Sequence, residues 1–242
     1  MEKGQDCRIK TRAGIVTKKL CFDNTDLLFH LILYFTKQRT YMIIDPSELD
    51  THSVYKLLIG AVVPRPIAWV SSRSRDGVLN LAPYSFFNAV SREPPMLAIS
   101  IGPRTGGEDY PKDTLTNLRE SQEFVINIVS VALANAMHET SINYPPEVDE
   151  FVRAGVTPAP SVVIKTPRVA EAKISMECTV EHMLRLGSDY LVIGRMHRYH
   201  VDDALISNGR IDTQALDPLG RMAGNFTKIE TLFDLPLDEP DS

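Results

Sequence analysis

The chain has 242 residues, 43% of them hydrophobic and 24% charged, which is the balance of a folded globular protein and fits one domain with extensions. Its net charge is −5, with both signs scattered and no long basic run, which argues against broad nucleic-acid binding. The longest nearly apolar run, residues 27–35, is far short of the about 20 residues that span a bilayer.

Residues 1–41 differ in character from the rest of the chain. They begin polar and basic, then give a short apolar stretch, then "TKQRTY". Glu2, Asp6, Asp23 and Asp26 argue against a targeting peptide, which is poor in acidic residues. The expectation is an extension over 1–41, disordered or upstream of a true start at Met42, followed by one domain over 42–242. Cys7, Cys21 and Cys178 are an odd, sparse set. They argue against a disulfide framework and suit a reducing, cytoplasmic compartment.

From Met42 the stretch "MIIDPSELDTHSVYKLLIG" predicts a short strand, a turn at Asp45-Pro46 and an amphipathic segment ending at Gly60. Strands are predicted over 66–72 and 78–82, joined by Asp-Gly turn chemistry, and then over 96–102 and 123–130. In "KISMECTVEHMLRL" (173–186), Ile174, Met176, Cys178 and Val180 alternate with Lys173, Ser175, Glu177, Thr179 and Glu181. That is the period of a half-buried strand, and it turns into a partner over 190–201. Helices are predicted over 113–121, with Asp113 as N-cap, and over 131–140. Six strands linked mainly by hairpins, with short helices between, suggest a mainly β protein: an antiparallel barrel whose closure removes its edges.

The segment "NLAPYSFFNAVSREPP" (80–95) fits neither a helix nor a clean strand. It carries three prolines, two adjacent phenylalanines, a tyrosine and only two charges. It is either a structural corner or the lining of a pocket for something flat and polar.

No metal site is expected. Cys178 and His182 would share a strand face, His197 and His200 would not, and no further ligand has suitable spacing. Cys178 reads as core. No nucleophile elbow, dinucleotide fingerprint or P-loop occurs. One constellation remains. "YPKDTLTNL" (110–118) sets Lys112 and Thr114 at a predicted helix N-terminus, where unpaired N–H groups and the dipole favour a phosphate. The plain alternative is a capped helix with a solvated lysine. Hydroxyls of "VSS" and "NLAPYS", with the flat surfaces of Trp69, Tyr84, Phe86 and Phe87, complete a pocket with a phosphate end and a hydrogen-bonding end, the shape of a flavin mononucleotide.

In their order, "VPRPIAWVSS", "DGVLNLAPYSFFNAVSREPP", "KDTLTNL", "DEFVRAGVTP" and "PLGRMAGNF" resemble the flavin reductase-like family with the FMN-binding split-barrel fold. The resemblance covers about residues 43–233. It implies a six-stranded antiparallel split barrel that binds FMN as a homodimer, with the flavin near the subunit interface. Family phosphate-binding positions map onto Ser85, Lys112 and Thr114. Contacts to the flavin ring and ribityl chain map onto Ser71, Ser72, Asn80, Pro83, Tyr84 and Ser100. Arg221 and Phe226 fall in a motif that in relatives often ends in tyrosine, so a hydroxyl contact from Phe226 is lost. The implied activity is an NAD(P)H-dependent FMN reductase that supplies reduced flavin to a partner monooxygenase. No catalytic residue and no metal is expected, and neither nucleic acid nor membrane is an expected partner. The competing classes are an FMN electron carrier and a non-enzymatic flavin- or heme-binding module on the same fold.

Overall fold

Two residues, Ser85 and Phe86, dictate the architecture seen in the computed structural model, which describes residues 9–11, 14–16, 41–104 and 111–235. They join strand β2 (Leu79–Tyr84) to strand β3 (Phe87–Arg92). The other long strands are β1 (Ala68–Arg73), β4 (Pro95–Ile101), β5 (Glu123–Ile128), β6 (Ile174–Leu186) and β7 (Asp189–Val201). All pair antiparallel in the order β2-β1-β5-β6-β7-β4-β3. β2 and β3 are therefore the two ends of the sheet. Flat, seven strands would hold those ends about 29 Å apart at about 4.8 Å per strand. Three peptide units from Tyr84 to Phe87 reach at most about 11 Å. The sheet must roll until its ends nearly meet. The Ser100 N–H, donating to the Phe86 carbonyl at 2.8 Å, carries the β3–β4 ladder on into the link. The result is a split barrel.

The main sheet has seven strands where six were expected. The additional one is β3, inside the segment judged too irregular for a strand. Pro83 is tolerated in β2 because that strand ends the sheet, and the other prolines turn β3 into β4. Helices are α1 (Thr51–Ala61), α2 (Asp113–Ser121), α3 (Ala134–Glu139), α4 (Glu150–Ala154) and α5 (Thr213–Leu216). A 3₁₀ turn at Val131–Leu133 precedes α3, so the expected helix over 131–140 is split. No helix among the described residues is long and apolar enough to cross a membrane.

The chain divides into two compact units, residues 1–50 and 51–242. In the first, Ile9–Thr11 pairs with Gly14–Val16, and Asp45 caps a 3₁₀ turn at Pro46–Glu48 by accepting from the Ser47 N–H at 2.9 Å. Residues 41–45 form no strand, contrary to expectation. The expectation for 1–41 otherwise falls outside the described residues.

Two apolar clusters in the second unit flank the sheet. Ala68 and Val70 face inward with Phe124, Ile126, Met176 and Val192. Trp69 and Leu81 face the other way, onto Met137, Phe151 and Leu219. Trp69 is therefore core on both counts. It is fully buried, and its indole N–H donates to Thr140 Oγ1 at 2.8 Å, so it does not supply flat surface to a pocket. Cys178 is core as expected, and burial pushes its thiol up to about 12.

β6 shows the expected inward alternation of Ile174, Met176, Cys178 and Val180, but two expectations fail. First, Ser175 and Glu177 are also fully buried, so this half of the strand is not half-exposed. The segment 158–169 covers that face, and Glu177 accepts from the N–H groups of Val162 (2.7 Å) and Val163 (2.8 Å). Second, a register shift between Val180 and His182 moves Met183 onto the core side. A bulge inverts the alternation, so His182 does not share the face of Cys178.

Gly194 on β7 stands opposite Val180. A Cβ there would collide with the Phe124 ring and come within 3.2 Å of the Cys178 Cβ. Gly194→Val should destabilise the fold by about 1–3 kcal/mol, visible as a lower denaturant midpoint. An unchanged midpoint would contradict this packing.

Candidate functional site

The site is built around Asn80. It lies on β2 opposite Ser72 on β1, and the pleat turns both inward toward α2. Asn80 Nδ2 donates to Glu150 Oε2 at 2.6 Å, and the same oxygen accepts from the Leu81 N–H at 2.5 Å. With Nδ2 committed to a carboxylate, Oδ1 must accept. Thr114 Oγ1 donates to it at 2.7 Å and Ser72 Oγ at 3.1 Å. Asn117 Nδ2 donates in turn to Ser72 Oγ at 3.1 Å. All five side chains are buried. The bonds therefore run in one direction, from Asn117 through Ser72 and Asn80 to Glu150. A hydroxyl has one proton, and Thr114 commits its own to Asn80. Toward an anion it offers its backbone N–H, one of the unpaired donors of the first turn.

Against this frame lies a concavity lined by Asn80, Pro83, Tyr84, Lys112 and Thr114, together with Arg104, Asp113, Tyr144 and Glu150. Five of the nine residues assigned to flavin from the sequence meet here. Lys112, and not Asp113, occupies the N-cap position of α2, with extended backbone and no capping side chain. Asp113 instead starts the helix and ion-pairs with Arg104. No carboxylate among the described residues pairs with Lys112, whose ammonium stands 5.4 Å from the Tyr84 ring centroid. Burial, and then the Arg104 cation, hold the Lys112 pKa below its ordinary value. Burial also pushes the Tyr84 phenol up, so it stays a donor. Tyr84 Oη and Arg104 Nε are buried without a hydrogen-bond partner among the described residues, and both residues line this concavity. Glu150 is pushed up to about 7, chiefly by burial and against the bond from the Leu81 N–H.

The remaining assigned residues are elsewhere. Ser72 lies behind Asn80 as part of the buried chain. Ser71 faces the opposite side of β1, where its hydroxyl donates to the Pro167 carbonyl at 2.6 Å. Ser85 and Ser100 flank the split. Ser85 Oγ accepts from Arg65 Nε at 3.3 Å, and Ser100 Oγ donates to Asp189 Oδ2 at 3.2 Å. Arg221 and Phe226 stack, with the guanidinium carbon 4.5 Å from the ring centroid. Among the described residues no group of histidines, cysteines and carboxylates could hold a metal.

Three residues of this region carried no assignment in the sequence. Arg65 is buried and pairs with no carboxylate among the described residues. It donates to the carbonyls of Ile59 (2.9 Å), Val62 (2.7 Å) and Met222 (3.0 Å), tying α1 and the 220–227 segment to the Ser85–Phe86 link. Arg104 follows β4 in a glycine-rich stretch that shows no pattern. Glu150 follows the helix cap Asp149 and looks like any acidic residue of a first turn. Its burial comes only from β2 lying against α4.

Residues 60–229 match the model of the flavin reductase like domain. A protein of Halalkalibacterium halodurans is 44% identical over 191 residues, 76% of this chain and 90% of that protein. The crystal structure of nitrilotriacetate monooxygenase component B from Bacillus cereus superposes with a TM-score of 0.79 at 40% identity, covering 82% of this chain and 100% of that one. That of 2-nitrobenzoate 2-nitroreductase from Pseudomonas fluorescens gives 0.72 at 28% identity, covering 83% and 100%. The family match spans well over half of the sequence and takes in every strand of the barrel, and the chain belongs to the flavin reductase-like family.

Proposed function

We propose that the protein binds FMN against the split of the barrel and reduces it with NAD(P)H, delivering reduced flavin to a separate monooxygenase. The observation that carries the reading is the set of unanswered donors around one concavity: Lys112, Tyr84 Oη, Arg104 Nε and the first N–H groups of α2. A phosphate dianion has the acceptors these groups lack. The likeness to a chain named as a monooxygenase component supports the partner.

When bound, flavin supplies the redox chemistry, taking a hydride and passing electrons on. The chain supplies binding and orientation. Lys112 and Arg104 neutralise the phosphate charge, and Tyr84 donates to it. The Asn80 chain keeps the floor of the site rigid. Because Arg65 Nε occupies an acceptor position on Ser85, the Ser85 proton is left to be donated toward the ligand. None of these residues is placed as an acid or base. The exposed apolar side chains of α1 (Tyr55, Leu57, Leu58), of Val62 just after it and of β3 (Val90) support burial against a second copy.

Lys112→Ala removes a charge-assisted bond that contributes about 1.5–3 kcal/mol. FMN affinity should fall about tenfold to a hundredfold, while riboflavin, which lacks the phosphate, binds as before. Fluorescence titration of both flavins decides this, and an equal loss for both would remove the phosphate assignment. With FMN added, steady-state oxidation of NADH or NADPH should be observed. Bound FMN without nicotinamide turnover would point to an electron carrier instead. Sedimentation should give about twice the 27.1 kDa chain mass; a monomer that binds FMN tightly would exclude the dimer.

A further inference from the structure

We propose that Glu150 takes up a proton when the flavin phosphate enters the concavity, so that FMN binding is proton-coupled and weakens as pH rises. The proposal rests on the FMN reading above.

The geometry of the carboxylate carries it. Glu150 is 5% exposed, and a single oxygen, Oε2, accepts both the Asn80 amide and the Leu81 N–H. No described residue bonds to Oε1, although the side chain lines the same concavity as Lys112 and Thr114. An anion arriving there meets a second negative charge in a largely desolvated site, and like charges so placed drive one group to protonate. Oε1 can accept that proton from solvent without disturbing anything. Oε2 keeps both of its bonds, the Asn80 amide keeps its orientation, and the chain from Asn117 stays intact. The new O–H is a further donor in the concavity.

The surrounding charges act in both directions. Asp113 on α2 and Asp149 beside Glu150 are like charges. Arg104 opposes them, but its guanidinium is engaged by Asp113. Lys112 is a second cation that favours the carboxylate in the free protein and is the one that the phosphate would engage, and Tyr84 is a neutral phenol. In the free protein, burial first and then the Asp113 and Asp149 charges already bring the carboxyl to about 7, so a nearby dianion needs to raise it only a little further for uptake to occur above neutral pH.

Glu150→Gln tests the proposal, because a Gln carbonyl can accept both bonds while holding no titratable proton. FMN and riboflavin are titrated into both proteins from about pH 6 to about pH 9. Above about pH 7, the wild-type Kd for FMN should rise by up to about tenfold per pH unit relative to the variant, one proton's worth of linkage. The phosphate's own ionisation near about pH 6 is common to both proteins and cancels. Riboflavin should show no such difference. Parallel FMN profiles in the two proteins would overturn the role of Glu150 while leaving FMN binding in place. Loss of the preference for FMN over riboflavin in both would instead overturn the phosphate site, and this proposal with it.

The free protein gives an independent measure. A carboxyl raised from 4.5 to about 7 on folding stabilises the fold fully below the lower value, and that contribution is lost as pH rises through the upper one. The Tm of the wild type should fall across this window more steeply than that of Glu150→Gln. Matching slopes would mean that Glu150 holds no proton near neutrality, and would also overturn the proposal.

Discussion

The link of two residues between β2 and β3 is the constraint on which the other features depend. A sheet whose terminal strands are consecutive in sequence has no freedom to lie open, and rolling it produces an inside that must be filled. Phe124, Ile126 and Val192 fill it, and Gly194 yields the space that the Phe124 ring needs. The closure is incomplete, because β2 and β3 are not paired with each other among the described residues. The split that remains is flanked by Ser85, Ser100 and the end of β2, so the place where the barrel fails to close is also where polar groups gather. Arg65 holds this corner. Its guanidinium reaches three carbonyls and Ser85, joining parts of the chain that the sheet does not connect.

Burial on both faces of the sheet requires a second set of interactions. The segment 158–169 covers the outer face of β6, and carboxylates fasten it there. Glu177 accepts from two of its N–H groups and meets His200 Nε2 at 2.5 Å. Glu123 Oε1 accepts from the N–H groups of Lys165 (3.0 Å) and Thr166 (2.8 Å). Asn127 adds a third point, with Oδ1 accepting from the Val169 N–H at 2.9 Å and from Ser175 Oγ at 2.8 Å. Backbone donors buried without partners would each cost about 1–3 kcal/mol. An irregular segment can pack over the sheet because these side chains answer its donors.

The polar chain beneath the concavity has the same logic with a different result. Every donor from Asn117 to Asn80 is answered, and the direction of the bonds is fixed by a carboxylate at one end. The groups left unanswered, Tyr84 Oη and Arg104 Nε, belong to residues that line the concavity. A floor whose bonds are already fixed would let the concavity take up the proposed anion with little rearrangement.

How far the sequence reached depended on the range of each interaction. Periodicity marked β1, β2, β4, β5, β6 and β7, and helix signals marked α2, because alternation and capping are local properties of the backbone. The ordered motifs marked the family, and with it Lys112, Tyr84, Asn80, Pro83 and Thr114, which the fold brings around one concavity. Tertiary structure decided the rest. β3 is legible only as the strand that meets β4 after the sheet rolls. Ser175 and Glu177 carry the polar half of an alternating pattern, and a distant segment turns that half into core. Ser71 and Ser72 are neighbours in sequence, but the pleat sends them to opposite faces, and only Ser72 joins the site. Arg104 and Glu150 have ordinary sequence settings. Their significance arises when β2, α2 and α4 converge and remove water from around their charges, because desolvation is a property of the assembled surroundings and is written in no single segment.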